Sequence, residues 1–73
     1  MGVKIAYRFD DHKPTVGSMI AAFRSLEEMR RFVIMQGDYR DMRFWEIKGT
    51  IVKDEGGPDG ITIRVIGVRE IFI

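Results

Sequence analysis

The chain has 73 residues but no cysteine, one histidine and a formal net charge of only +1. Without cysteine, neither a disulfide nor a thiolate metal site can supplement the core. The near balance of acids and bases produces no overall field pointing to nucleic acid or to an acidic membrane. No apolar run approaches the roughly 18 residues of a membrane span, so a cytoplasmic protein without membrane contact is expected.

Size and composition predict a single folded domain with little stability to spare. Apolar residues make up 45% of the chain and charged residues 32%, as is usual for globular proteins. A domain of this length buries only about 60% of the surface that its unfolded chain exposes. Domains this small often gain further burial by forming oligomers.

Strand signals lie at both ends of the chain. Two arms rich in β-branched and aromatic residues, Met42 to Lys53 and Ile61 to Ile73, flank a turn-forming stretch and predict a long antiparallel hairpin. Alternation of apolar and polar residues predicts another strand from Val3 to Phe9. Met19 to Phe23 fits either a short strand or the lead-in to a helix, with the strand favoured. Gly67 within the last arm suggests a bulge.

One helix is expected between these strands. Ser25 and Glu28 have the spacing of a capping box, in which each side chain bonds the backbone amide of the other residue. Gly37 supplies a left-handed stop, so the helix should run from Leu26 to Gln36. The apolar stripe expected to pack on the sheet consists of Leu26, Met29, Phe32 and Val33.

The predicted fold class is therefore α+β, with one helix packed on a small, mainly antiparallel sheet in the order β-β-α-β-β. Apolar positions in the last arm outnumber what one helix of about eleven residues can cover. A non-enzymatic protein-interaction module is therefore expected, self-associating as a homodimer or small oligomer, with another protein as the alternative partner. The expected interface residues are Ile66, Val68, Ile71, Phe72 and Ile73. Near the end of the helix, Ile34 and Met35 would be covered by the following connection or by another subunit.

An alternative function is that of a nucleic-acid-binding accessory protein. Bases and aromatics interleave after the helix, as they do in stacking platforms for single-stranded nucleic acid. The residues of this alternative surface are Arg40, Arg43, Phe44 and Lys48. Against this hypothesis, Trp45 lies on the apolar face of its strand and neighbouring acids dilute the charge.

Catalytic and metal-binding signals are sparse. Asp10-Asp11-His12 could offer three ligands to a divalent ion, but adjacent residues rarely converge on one metal and a solvated turn is favoured. Glu46 and Glu70 are candidate paired carboxylates, although cross-strand partners such as Lys48, Arg64 or Arg69 are the preferred interpretation. A minor enzyme hypothesis around Arg8 and Glu70 requires a concave pocket with a perturbed carboxylate. No cofactor is indicated.

Overall fold

The computed structural model describes residues 2–37, 42–57 and 60–72. Along the chain lie β1 (Lys4–Asp10), β2 (Met19–Ala22), α1 (Leu26–Gln36), β3 (Arg43–Asp54) and β4 (Ile61–Ile71). The four strands form one antiparallel sheet in the spatial order β1-β3-β4-β2. The predicted α+β class is confirmed, and the short apolar run after Ser18 is a strand.

The helix has the predicted bounds. Ser25 Oγ accepts a hydrogen bond of 3.1 Å from the Glu28 amide, and Gly37 ends the helix with a φ of 90°. The capping box also predicts a bond from the Glu28 side chain back to the Ser25 amide, but Glu28 Oε2 lies buried without a hydrogen-bond partner among the described residues. Met29 and Val33 are fully buried, so the predicted apolar stripe does face the sheet.

The sheet curls until its two outer strands meet. The Tyr7 amide donates to the Phe23 carbonyl over 3.0 Å, and the Phe23 amide donates to the Tyr7 carbonyl over 2.7 Å. This bridge lies just beyond β2 and joins it to β1. The outer strands, which would otherwise be far apart, are therefore held together at one point.

The curl creates two cores where the sequence pattern predicted one. Inside the curl lies a cluster centred on Trp45, which is 2% exposed, and on Ile47 and Ile63, which are fully buried. Its members are Ala6, Ala22, Trp45, Ile47, Ile61, Ile63 and Val65. On the outer face, α1 covers a second cluster formed by Phe23, Met29, Val33 and Phe44. Apolar residues on both faces of the sheet are therefore buried within one chain.

Gly49 permits the close approach of β3 to β4 at the centre of the sheet. A Cβ at this position would lie 2.8 Å from Ile63 Cγ1 and even closer to the Arg64 carbonyl oxygen. The pairing of the two strands skips Ile66 beside it, because Gly49 pairs with Val65 while Lys48 pairs with Gly67. The bulge expected near Gly67 is thus present.

Gly49→Ala should destabilise the fold by about 1–3 kcal/mol or more, because the new methyl group meets backbone that cannot move aside. Gly67→Ala is the matched control, since the nearest atom to its Cβ would be Lys48 Cβ at 4.0 Å. We expect the control to stay within about 0.5 kcal/mol of the unsubstituted protein. Urea unfolding followed by circular dichroism compares the two, and equal effects would contradict this account of Gly49.

Arg24 ties the start of the helix to the tip of the β3–β4 hairpin. Its guanidinium forms a two-pronged ion pair with the Asp54 carboxylate and donates to the Gly57 carbonyl over 3.2 Å. Hydrogen bonds from Arg24 and from the Gly56 amide lower the pKa of Asp54 from 3.8 to about 2. The Asp54 carboxylate is therefore stabilised in its charged form by the folded structure.

Since the folded pKa of Asp54 is depressed, its stabilising contribution is present above 3.8 and is lost as the pH falls towards 2. Arg24→Gln should therefore lower the free energy of unfolding at neutral pH, and this loss should shrink towards pH 2. Urea unfolding across that pH range provides the measurement. Arg31→Gln removes an exposed ion pair with Glu27 on the helix and serves as the control with little effect. A loss for Arg24→Gln that is independent of pH would rule out this role.

Candidate protein-interaction site

The second half of β4 has an open edge. Strand β2 pairs with β4 only from Ile61 to Arg64, and the chain preceding β2 extends this contact to Val65. From Ile66 to Ile71, the strand pairs with β3 on one side. On its other side, no backbone hydrogen bond from the described residues reaches it. An edge of this kind can accept a further strand.

Val65 shows which way the backbone groups of β4 point. Its amide donates to the Ser18 carbonyl and its carbonyl accepts from the Gly17 amide, both over 2.8 Å. Both groups of Val65 therefore face away from β3. Two directly opposite residues of an antiparallel pair either exchange both of their backbone hydrogen bonds or exchange neither. Gly49 lies opposite Val65 on β3, so Gly49 also directs its backbone groups away from its partner strand, β4.

This alternation identifies the backbone groups exposed at the open edge. Ile47 and Trp45 lie two and four residues before Gly49, so they also direct their N–H and C=O groups away from β4. Their partners on β4 are Val68 and Glu70. The N–H and C=O groups of Val68 and Glu70 therefore point outward, where no strand in the described part of the chain receives them.

The side chains of the predicted interface divide into two groups. Val68 packs partly against the inner core, and Ile71 packs partly against the cluster beneath the helix. Ile66 is 49% exposed and Phe72 is 89% exposed. Ile73 lies outside the described residues. The protomer therefore accounts for part of the burial of Val68 and Ile71 but leaves Ile66 and Phe72 available.

The helix also leaves apolar groups uncovered. Ile34 is 61% exposed and Met35 is 82% exposed, and they lie on the far side of α1 from the buried Met29 and Val33. Nothing in the described residues covers them. The connection from Asp38 to Asp41, which is one of the two predicted covers, lies outside the described residues, so this connection and another subunit both stay open as alternatives.

The outer face beside the open edge carries an ion pair between Arg69 and Glu46. Arg69 Nη2 lies 3.0 Å from Glu46 Oε1 on the neighbouring strand, and these two residues face each other directly in the register. This is one of the cross-strand partners predicted for Glu46. A shallow hollow of about 180 Å³ lies alongside. Its lining residues are Ile5, Glu46, Lys48, Gly67, Val68 and Arg69.

Glu70 has a different partner from those predicted. Arg43 donates to its two carboxylate oxygens over 2.9 and 3.1 Å, and these bonds lower the pKa of Glu70. The Arg43 guanidinium also lies 4.6 Å from the centroid of the Trp45 ring. Sequence reasoning missed this pair because Arg43 and Glu70 are diagonal neighbours across the sheet.

The enzyme hypothesis finds little support in this geometry. Arg8 and Glu70 both lie opposite Trp45 in the register and so share the inner face. However, the Arg8 guanidinium donates to Asp10 over 3.2 Å and to the Ala21 carbonyl over 2.8 Å. The pKa of Glu70 is lowered, whereas a general acid needs a pKa raised towards neutrality. The Arg8 guanidinium and the Glu70 carboxylate are therefore both engaged in hydrogen bonds within the protomer.

The three described residues of the alternative nucleic-acid surface do not lie together. Arg43 is exposed on the inner face, where it contacts Trp45. Phe44 is only 8% exposed beneath the helix, so it cannot stack on a base. Lys48 is exposed on the outer face, and Arg40 lies outside the described residues.

Asp10-Asp11-His12 forms a turn at the end of β1. Asp10 Oδ1 accepts from the His12 amide over 3.1 Å, and this bond is the largest cause of the lowered pKa of Asp10. Ligand atoms of the three residues lie within 4.8 Å of one another. Asp11 and His12 are largely exposed, as expected of the solvated turn favoured by the sequence.

Comparison with protein-family models, with curated proteins and with solved structures finds no match. Within the described residues, no helix is long and apolar enough to cross a membrane.

Proposed function

We propose that this protein is a non-enzymatic interaction module that self-associates by pairing the open edge of β4 with the same edge of a second copy. The observation that carries the proposal is the outward direction of the Val68 and Glu70 backbone groups beside exposed apolar side chains. Antiparallel pairing of two identical edges presents each donor with an acceptor. A second copy therefore fits this edge without any other component.

The size of the interactions predicts a weak dimer. Four backbone hydrogen bonds contribute about 2–6 kcal/mol net at about 0.5–1.5 kcal/mol each. Association itself costs an estimated 4 kcal/mol or more, so burial of Ile66 and Phe72 must supply the difference. Full burial of one large apolar side chain adds about 1.5–3 kcal/mol. We therefore expect the dimer to be populated at micromolar to millimolar concentration.

Methylation of one backbone nitrogen tests the pairing directly. A chemically synthesised chain with N-methyl Val68 loses the outward N–H but keeps its side chain, so it should remain folded and become monomeric. Light scattering coupled to size exclusion measures the mass, and circular dichroism reports the fold. N-methyl Val65 is the matched control, because its N–H bonds to Ser18 within the protomer and its loss should cost protomer stability instead. A dimer that persists with N-methyl Val68 would disprove pairing at this edge.

Phe72→Asp should also break the dimer without unfolding the protomer. Phe72 is 89% exposed, so its replacement should change the free energy of unfolding of the monomer by no more than about 0.5 kcal/mol. Sedimentation equilibrium across a range of concentrations gives the dissociation constant, and Phe72→Leu provides an apolar control. Loss of the fold together with the dimer would instead place Phe72 in the protomer core.

A further inference from the structure

We infer that the two-fold axis of this dimer passes through Arg69, so that Arg69 of one copy lies directly opposite Arg69 of the other. Glu46 of each chain then neutralises the arginine of its own chain. The inference rests on the proposed pairing of the β4 edges and adds its register and its charge dependence. It gives the exposed ion pair between Glu46 and Arg69 a role in assembly.

The outward backbone groups favour this register over its neighbours. If Arg69 lies on the axis, Val68 of each copy faces Glu70 of the other, and two such pairs exchange four hydrogen bonds. If the axis passes through Val68, the two copies of Val68 exchange two hydrogen bonds. Glu70 of each copy then faces Ile66 of the other, the residue at the bulge, where regular pairing is interrupted. An axis at Glu70 gives two bonds at Glu70 itself and sets Val68 against Phe72, which lies beyond the last residue of β4. The first register satisfies the edge most completely.

The favoured register has an electrostatic cost that the protomer already offsets. Directly opposed residues have Cβ atoms about 4.5–5.5 Å apart, and like charges at that distance repel. Two Arg69 guanidiniums would be adjacent on the outer face. Each is bound to Glu46 of its own chain, at 3.0 Å in the ion pair and 3.1 Å in the hydrogen bond. The resulting row of two acids and two bases is neutral overall.

Loss of Glu46 should therefore weaken the dimer through the repulsion it uncovers. Glu46→Gln is expected to raise the dissociation constant about fivefold at low salt, and added salt should reverse much of this change by screening. Glu46→Gln combined with Arg69→Gln should restore the original affinity, because no opposed charges remain. An equal loss of affinity in the single and double variants would contradict the role of this ion pair.

Disulfide formation reads the register itself, since the chain has no cysteine of its own. Single variants Gly67→Cys, Val68→Cys, Arg69→Cys and Glu70→Cys are oxidised mildly, and the rate of covalent dimer formation is measured on a non-reducing gel. Arg69→Cys should react fastest, because its sulfur atoms face each other across the axis. Arg64→Cys is the control for random collision, because β2 already covers that part of the edge.

The outcomes separate the register from the proposed function. Fastest reaction at Val68→Cys or Glu70→Cys would overturn an axis at Arg69 while leaving edge pairing intact. Reaction no faster than that of Arg64→Cys at all four positions, together with a monomeric unsubstituted chain at millimolar concentration, would overturn both.

Discussion

The pair of backbone hydrogen bonds between Tyr7 and Phe23 is the constraint on which the rest of the structure depends. By joining β1 to the end of β2, it holds the sheet in a curl. The curl encloses the cluster around Trp45, and the outer face of the same sheet receives the helix. A four-stranded sheet of this size gains two buried faces in this way, which compensates for the small core available to 73 residues.

The open edge follows from a difference in strand length. Strand β2 has four residues, whereas β4 has eleven, so β2 can satisfy only the first part of β4. Because β1 lies on the other side of β3, it cannot cover the remainder. The exposure of the apolar side chains in this stretch and of its backbone groups therefore has one cause, which is the shortness of β2.

Local signals in the sequence were sufficient for the helix and for much of the strand pattern. Ser25 and Gly37 define the helix ends by bonds within a few residues, so their spacing alone was informative. The curl depends on contacts between Tyr7 and Phe23, which are distant in the chain and carry no sequence signature of pairing. Consequently, the sequence pattern favours an interface for the apolar surplus of β4, although Val68 and Ile71 are partly buried in the protomer. The pairing of Arg43 with Glu70 also required the register, because either residue had several plausible partners.

The bulge at Ile66 gives β4 one residue more than the stretch of β3 with which it pairs. On either side of this residue the alternation of the strand is offset by one, which keeps Val65 and Val68 inward and the Arg69 side chain exposed. Deletion of Ile66 would leave Val65 opposite Gly49 and Gly67 opposite Lys48, so the two strands would pair without a bulge and the arginine would stay exposed. Among descendants of this chain, the loss of one residue at this point should therefore be tolerated, because it leaves the later pairs of β4 unchanged.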